Sequence, residues 1–220
     1  MNKHFVLFFT FALIFTAEAQ KNIKSIKVTY LRSNNGKVFE NQDPILLFTS
    51  KKMSLVTTEK ITLKKANFPI EQTCVDFQFK TTSQLAEFKN KSAILSVDSL
   101  ALGKQKFTIT DQTKKILGYT CKKATTSINS NSIELWFTTD LNLKGAPTAL
   151  GQDLGLVLEM VRNGNTKTTA SKIEILKNTP ALLDLPNPLP KKVDQLTYKD
   201  LLWKSRFTTI PVFEKEIINF

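Results

Sequence analysis

The sequence predicts a mainly β protein, built as a single curved antiparallel sheet or half-barrel. Apolar and polar residues alternate along several stretches, as they do in a strand that buries one face. In residues 133–137, the apolar side chains of Ile133, Leu135 and Phe137 share one face, and the residues between them share the other. Helix-like periodicity is scarce before residue 190. These two observations together favour a sheet over a helical bundle.

Turn signals divide the alternating runs into about nine to eleven strands. Asn34-Asn35-Gly36, Asn129-Ser130-Asn131 and Asn163-Gly164 each separate two such runs. Asn-Gly is typical of the tight hairpin turns that need positive φ. Residues 75–80 are predicted as a further strand, because apolar and polar side chains alternate along them. A sheet of this length usually curls.

The chain is predicted to have three parts. Residues 1–19 have the basic start, short apolar run and Ala17-Glu18-Ala19 cleavage motif of a signal peptide. That run is shorter than the roughly 20 apolar residues of a membrane-spanning helix. Residues 20–178 are the β domain, and residues 179–220 are a proline-rich linker and a C-terminal tail with a short helix. The expected location is the periplasm, with secretion or display on the cell surface as alternatives.

The C-terminal tail is a candidate segment for docking on a partner. Residues 180–190 hold four of the eight prolines, so they cannot join a central strand. A capping sequence at residues 197–200 predicts a helix over residues 198–206. The tail either packs on the sheet or docks on an outer-membrane protein or envelope complex, through the apolar residues Leu201, Leu202, Trp203, Phe207, Phe213 and Phe220.

Residues 145–155 are predicted to form a shaped loop between two strands. They hold three of the seven glycines, and glycine permits positive φ or a close approach of two backbones. The expected role of the loop is structural. The residues singled out are Gly145, Pro147, Gly151, Asp153 and Gly155.

The two cysteines, Cys74 and Cys121, both lie in strand-like stretches. In an oxidising compartment an even number of cysteines allows a disulfide. The alternative is two separate buried thiols, since free cysteine behaves as a small hydrophobic residue. The sequence leaves both alternatives open.

The chain is basic, with 31 Lys and Arg against 19 Asp and Glu and a net charge of +12. Such a charge favours anionic partners through long-range steering. Outside the cytoplasm these would be lipid headgroups, acidic glycans or an acidic protein face; the alternative is a solvated surface that keeps the protein soluble. The lysines are scattered in pairs, without an RNA-binding signature, so nucleic acid is not an expected partner.

Most enzyme chemistries are not expected. The single histidine, His4, lies in the predicted signal peptide, which removes histidine-activated nucleophiles and histidine-bound zinc from residues 20–220. No nucleotide-binding glycine motif is present, and no cofactor or metal is expected. A glycosidase needs only two suitably spaced carboxylates, which leaves a carboxylate-based hydrolase as the alternative. The carboxylates that fall within one region are Glu134, Asp140, Asp153 and Glu159.

Several stretches resemble the GLPGLI family, whose members are secreted proteins found mainly in Bacteroidota. They are residues 115–126 (KILGYTCKKATT), residues 133–141 (IELWFTTDL) and residues 144–147 (KGAP). In that family a loop-to-strand motif follows a strand that bears a tryptophan, and the equivalent here is residues 151–157 (GQDLGLV). The resemblance identifies the chain as a divergent member, and it implies an exported β protein without an assigned activity. By fold analogy, the implied shape is a curved, open sheet like that of periplasmic lipoprotein carriers.

Together these features predict a non-enzymatic periplasmic binding or accessory protein. It would hold an apolar ligand or peptide on the concave face of its sheet. The alternative is a structural subunit that docks on an outer-membrane protein complex through its C-terminal tail.

Overall fold

The computed structural model describes residues 23–99, 101–178 and 190–207. These residues form one large mixed sheet and two short helices, α1 (Glu59–Thr62) and α2 (Gln195–Phe207). This confirms the predicted mainly β fold. The strands are β1 (Ser25–Asn34), β2 (Lys37–Val38), β3 (Ile45–Ser50), β4 (Met53–Thr58), β5 (Ile70–Asp76), β6 (Thr81–Glu87), β7 (Ala93–Asp98), β8 (Thr108–Ile116), β9 (Tyr119–Ile128), β10 (Asn131–Thr138), β11 (Leu156–Arg162), β12 (Thr166–Leu176) and β13 (Lys191–Lys192).

The sheet stays open, and its strand order is β13-β7-β6-β5-β4-β3-β1-β12-β11-β10-β9-β8, with β2 beside β1. Strands β3 to β7 form one antiparallel meander, and strands β8 to β12 form a second. β1 lies between them and pairs antiparallel with both β3 and β12. The sheet is mixed because β13 pairs parallel with β7. Neither helix in the described part of the chain is long and apolar enough to cross a membrane.

The central strand β1 carries the middle of the core. Ile26, Val28 and Tyr30 alternate along it, and each is fully buried. The Tyr30 hydroxyl donates a hydrogen bond to the carbonyl oxygen of Val157, 2.6 Å away. Burial raises the pKa of the Tyr30 hydroxyl far above its usual value. The group therefore stays protonated and remains a donor to β11.

The predicted hairpin turns are confirmed. Asn163 and Gly164, between β11 and β12, have φ of 51° and 74°. Asn129 and Ser130, between β9 and β10, have φ of 47° and 63°. Positive φ at both central residues gives the twist that joins antiparallel strands through a short turn. Local sequence therefore determines these connections.

The strand predicted over residues 75–80 is shorter than expected. β5 ends at Asp76, and residues 77–80 form a turn. The Asp76 Oδ1 atom accepts hydrogen bonds from the backbone N–H groups of Gln78, at 2.8 Å, and Phe79, at 2.9 Å. An aspartate that binds the backbone in this way favours a turn over a strand, and here it outweighs the alternating pattern.

The loop between β10 and β11 folds back onto the sheet. The Gly145 N–H donates to the Gly155 carbonyl oxygen at 3.0 Å, and the Val157 N–H donates to the Gly145 carbonyl oxygen at 2.8 Å. Gly155 has a φ of +139°, and a Cβ atom there would lie 2.8 Å from the Thr138 carbonyl oxygen. The loop can therefore close only where glycine occupies position 155.

A buried glutamine in the same loop connects it to the sheet. Gln152 is fully buried, and its Nε2 atom donates to the carbonyl oxygens of Ala146, at 3.0 Å, and Thr148, at 2.6 Å. Its Oε1 atom accepts from the Ser54 hydroxyl on β4 at 2.8 Å. Because these polar atoms are all satisfied, burying the glutamine fixes the loop at little cost.

Helix α2 packs on the sheet. Its Tyr198 and Leu202 side chains are buried against Ala86 of β6 and Ile94 of β7. The helix begins at Gln195, three residues before the predicted start, because the cap is Asp194. The Asp194 carboxylate accepts from the Thr197 N–H at 2.8 Å and from the Thr197 hydroxyl at 2.6 Å.

The residues predicted to dock on a partner fall into three groups. Leu202 is buried and Leu201 half-buried, so both belong to the contact with the sheet. Trp203 and Phe207 are 62% and 48% exposed, and their ring centroids lie 5.0 Å apart. The others, Phe213 and Phe220, lie outside the described residues, as do the predicted signal peptide and residues 179–189.

The structure does not contain the disulfide between Cys74 and Cys121 that the sequence allowed. Cys74 lies on β5 and Cys121 on β9, and six strands of the sheet separate them. Both thiols are free. A disulfide needs Cα atoms within about 7 Å of each other, and the sequence does not reveal that the two strands belong to different meanders.

The contact of α2 with the sheet gives a stability prediction. Leu202→Ala should lower the free energy of unfolding by about 2–4 kcal/mol, because it leaves a cavity against Ala86 and Ile94. Leu196→Ala is the matched control in the same helix, since Leu196 is 79% exposed, and it should change stability by less than about 0.5 kcal/mol. Urea unfolding measures both. Equal effects would show that the helix does not pack as described.

The loop glycine gives a second prediction. Gly155→Ala should destabilise the protein by about 2–5 kcal/mol, because it adds a clash with Thr138 to a backbone conformation that glycine favours. In Gly164→Ala, the added Cβ meets no atom within 4 Å at a φ of +74°. That control should cost only about 1–2 kcal/mol. Similar urea midpoints for the two variants would contradict the loop geometry.

The thiols give a third prediction. Burial raises the pKa of both Cys74 and Cys121 to about 11. In the folded protein both should therefore react slowly with a thiol reagent at pH 8, and faster as the pH approaches 11, where the thiolate forms. In the denatured, unreduced protein two thiols per chain should react at once. Finding fewer than two would mean that a disulfide exists.

Candidate functional site

A groove of about 440 Å³ opens where three connections of the sheet meet. They are the β3–β4 turn, the β5–β6 turn and the loop that follows β10. We call this cavity the lysine groove. Its lining residues are Lys51, Lys52, Phe77, Gln78, Thr139, Asn142, Leu143, Lys144, Leu154 and Gly155.

Hydrogen bonds hold the three connections of the groove together. The Phe77 N–H donates to the Lys52 carbonyl oxygen at 2.8 Å, which joins the two turns. The Thr49 hydroxyl donates to the Lys144 carbonyl oxygen at 2.5 Å, which joins β3 to the loop. Thr49 is fully buried. The walls of the groove are therefore fixed by the fold before any ligand arrives.

The groove has an apolar floor and polar edges. Leu143 is 2% exposed, and the Phe77 and Leu154 side chains are half-buried. The amides of Gln78 and Asn142 lie on exposed positions beside them. A mostly apolar cavity with a few polar groups at its edge is the usual form of a small-molecule site.

The groove is positively charged. Lys51 and Lys52 are exposed, and neither forms an ion pair with any side chain in the described part of the chain. Lys144 Nζ is paired with Asp153 Oδ1 at 2.5 Å, and both side chains are about half exposed. The Lys144 charge is thus compensated, whereas the charges of Lys51 and Lys52 are available to an anionic ligand.

Two of the candidate catalytic carboxylates are held by separate lysines. Glu159 is 8% exposed, and its Oε1 atom lies 2.5 Å from Lys114 Nζ. Its Oε2 atom accepts from the Thr169 hydroxyl at 3.2 Å. Glu134 is paired with Lys123 at 3.0 Å. The carboxylates are therefore engaged in ion pairs on the sheet.

The other two candidate carboxylates are also engaged. Asp140 Oδ2 accepts from the Thr120 N–H at 3.3 Å, and Asp153 is paired with Lys144. None of the four candidates lines the lysine groove. The geometry therefore gives no support to a carboxylate-based glycosidase site.

The two lysines that pair with these glutamates also surround Trp136. Lys114 Nζ lies 4.2 Å from the centre of the Trp136 ring, and Lys123 Nζ lies 5.8 Å from it. Cations over an indole ring are attracted by its electron-rich face. Trp136 thus belongs to a charged cluster on the second meander. In residues 23–99, 101–178 and 190–207, no three His, Cys, Asp or Glu side chains come together as a metal site would require.

The sequence analysis predicted part of this site. Of the shaped-loop residues, only Gly155 lines the groove; Gly145, Pro147 and Gly151 are buried outside its lining, and Asp153 is exposed. The groove residues that it missed are Lys51, Lys52, Phe77, Gln78 and Asn142. A usable signal was Asp76, because an aspartate side chain can accept a hydrogen bond from the backbone two residues further on and so favour a turn.

Comparison with known proteins gives the family. The model of a family described as N-glycanase peptide, N-terminal domain, matches residues 28–200. Two solved structures of PNGF-II, in space groups P21 and C2, are 45% identical to the chain, with TM-scores of 0.81 and 0.77. Each alignment covers 90% of this chain and 36% of the PNGF-II chain. The chain thus spans about a third of the length of the solved chains it resembles. Among curated proteins, none matches the sequence.

The predicted GLPGLI membership is wrong. That resemblance depended on a tryptophan-bearing strand and a glycine-rich loop, which unrelated β proteins can share because both features serve folding. The match to PNGF-II is far more specific, since it extends over 90% of the chain. Motifs confined to about fifty residues are weaker evidence of a family than 45% sequence identity over 90% of the chain.

The predicted non-enzymatic role and the prediction that the chain is not an enzyme are also overturned, because the matching family is that of an N-glycanase. The alternative of a subunit docked on an outer-membrane complex gains nothing from the comparisons. The absence of histidine excludes one kind of chemistry in residues 20–220 but does not exclude a part in an enzyme. The chain belongs to the family of N-glycanase N-terminal domains.

Proposed function

We propose that this chain acts in the removal of N-linked glycans from glycoproteins, as the N-terminal domain of a peptide-N-glycanase. The observation that carries the proposal is the match of residues 28–200 to the N-terminal domain of that family. The 45% identity to PNGF-II over 90% of the chain supports it. Export is part of the proposal: residues 1–19 have the pattern of a signal peptide, and the protein would work in the periplasm or outside the cell.

The contribution of the lysine groove is to hold the glycan of the glycoprotein substrate. Its volume of about 440 Å³ lies within the common range of ligand cavities. The Gln78 and Asn142 amides can each donate to and accept from sugar hydroxyls. The Phe77 ring offers a flat apolar surface for the C–H face of a sugar. The groove therefore combines the two kinds of contact that a sugar ring requires.

The groove is suited to binding because its shape does not depend on the ligand. The bond from Phe77 N–H to the Lys52 carbonyl fixes the aromatic wall, and Gln152 fixes the loop on the opposite side. A site that is rigid before binding loses little conformational entropy when the ligand enters. This favours recognition of a defined sugar over adaptation to many shapes.

A variant of the aromatic wall tests this function. Phe77→Ala should weaken the binding of a neutral N-glycopeptide by about tenfold, which corresponds to about 1.4 kcal/mol. Phe79→Ala is the matched control, because Phe79 belongs to the same turn, is 70% exposed and does not line the groove. Isothermal titration calorimetry on the full chain measures both, with circular dichroism to confirm folding.

The peptide without its glycan is the second control, and it should bind poorly to the unmodified protein. Equal binding of the peptide with and without glycan would contradict a glycan-directed function. Equal losses in Phe77→Ala and Phe79→Ala would place the glycan outside the groove.

A further inference from the structure

We propose that the lysine groove selects glycans that carry a negative charge, through the Lys51 and Lys52 ammonium groups. The inference rests on the proposed function, and it adds a substrate class to it. The chemistry of the ligand is an acidic sugar, in which a carboxylate or a sulfate ester is attached to a ring with free hydroxyl groups.

The charge of the groove comes from two consecutive residues held in a tight turn. The Ser50 hydroxyl oxygen accepts from the N–H groups of Lys52 and Met53, each at 3.3 Å, and the hydroxyl donates to the Met53 carbonyl oxygen at 3.2 Å. The Phe77 N–H bonds to Lys52 from the neighbouring turn. The backbone of the turn is thus fixed, and both side chains start from the rim of the same cavity.

Carboxylates within the chain compensate other lysines but not these two. Lys27, Lys114 and Lys123 each form an ion pair with a glutamate of the sheet. Lys144, which lines the groove, is paired with Asp153, which does not. Unpaired lysines also occur elsewhere on the described surface, as expected for a basic protein. Lys51 and Lys52 differ from them because they line a concave cavity, where a ligand meets both charges at once.

The other lining groups show which anion fits. A bare phosphate or sulfate ion would leave most of the 440 Å³ cavity unused, together with the Phe77 ring and the Gln78 amide. A phosphatidylglycerol headgroup would use the two charges, but it has no ring to lie against Phe77. A sugar with an acidic substituent uses the ring, the amides and the two charges together. This combination favours an acidic glycan over a free anion or a membrane.

The test compares two N-glycopeptides that differ only in charge, one with terminal sialic acid and one from which it has been removed. Calorimetry on the full chain should find the charged glycopeptide bound about tenfold more tightly at 50 mM salt. The difference should shrink at 300 mM salt, since exposed charges are screened. The variant Lys51→Ala/Lys52→Ala should bind both glycopeptides equally, with the affinity of the unmodified protein for the neutral one.

A control removes the same charge from another place. Lys191→Ala/Lys192→Ala loses two consecutive exposed lysines on β13, outside the groove, and it should keep the tenfold preference. If both double variants lose the preference, net charge is responsible and the inference is overturned. If the unmodified protein binds both glycopeptides equally, the inference is also overturned, while the proposed function stands. If neither glycopeptide binds, the proposed function fails as well.

Two further arms identify the source of the negative charge. A glycopeptide with a sulfated sugar should show the same dependence on Lys51 and Lys52, which would support a site for acidic sugars in general. Vesicles of phosphatidylglycerol and inorganic phosphate are the competing ligands. If either displaces the sialylated glycopeptide as effectively as the free sialylated glycan does, the groove is a general anion site and the inference is wrong.

Discussion

The fold depends on the pairing of β1 along both of its edges. Val28 lies opposite Leu47 of β3 on one side and Ile173 of β12 on the other, and all three side chains pack in the same cluster. Each meander pairs strands that follow one another along the chain, whereas the two meanders meet in the sheet only across this strand. Pairing β1 with β12 brings together residues that are far apart in the sequence, and closing a loop of that length costs conformational entropy. The fully buried residues of β1 must offset this cost by removing apolar surface from water.

The lysine groove is a consequence of that pairing. Its turns at Lys51 and Phe77 belong to the first meander, whereas the loop with Lys144 and Gly155 leaves the second. The hydrogen bond from the Thr49 hydroxyl to the Lys144 carbonyl crosses from one to the other. The site is therefore assembled from segments that are far apart in sequence, in keeping with the common location of binding groups on loops that a rigid scaffold positions.

This separation explains what the sequence could and could not predict. Asn163-Gly164 specifies its own hairpin, because both residue types tolerate the positive φ that a tight turn needs. The order of the strands depends on non-local pairing, and so the distance between Cys74 and Cys121 was not predictable. Pattern alone also failed where a side chain competes for the backbone, as Asp76 does at the end of β5.

Dependence on the packed structure also limited the prediction of the site and of the helix. Asp194 caps α2 three residues before the start that Thr197 indicated, since either residue type can cap a helix and only the packed structure decides which one does. Lys51 and Lys52 are visible in the sequence as one of several lysine pairs. Only the fold shows that this pair, unlike Lys191 and Lys192, faces a cavity. The family could be assigned only from sequence identity along most of the chain, because short motifs describe local structure alone.

A groove built from both meanders couples ligand occupancy to global folding. If either meander opened, the groove would lose one wall. A ligand bound in the groove therefore stabilises the whole folded chain by mass action. The added free energy of unfolding grows with the logarithm of the ligand concentration divided by its dissociation constant. The same linkage would protect residues far from the contact, including the fully buried backbone of Tyr30, against hydrogen exchange that requires global opening. Proteolytic resistance in the presence of a ligand of the groove would then increase across the sheet.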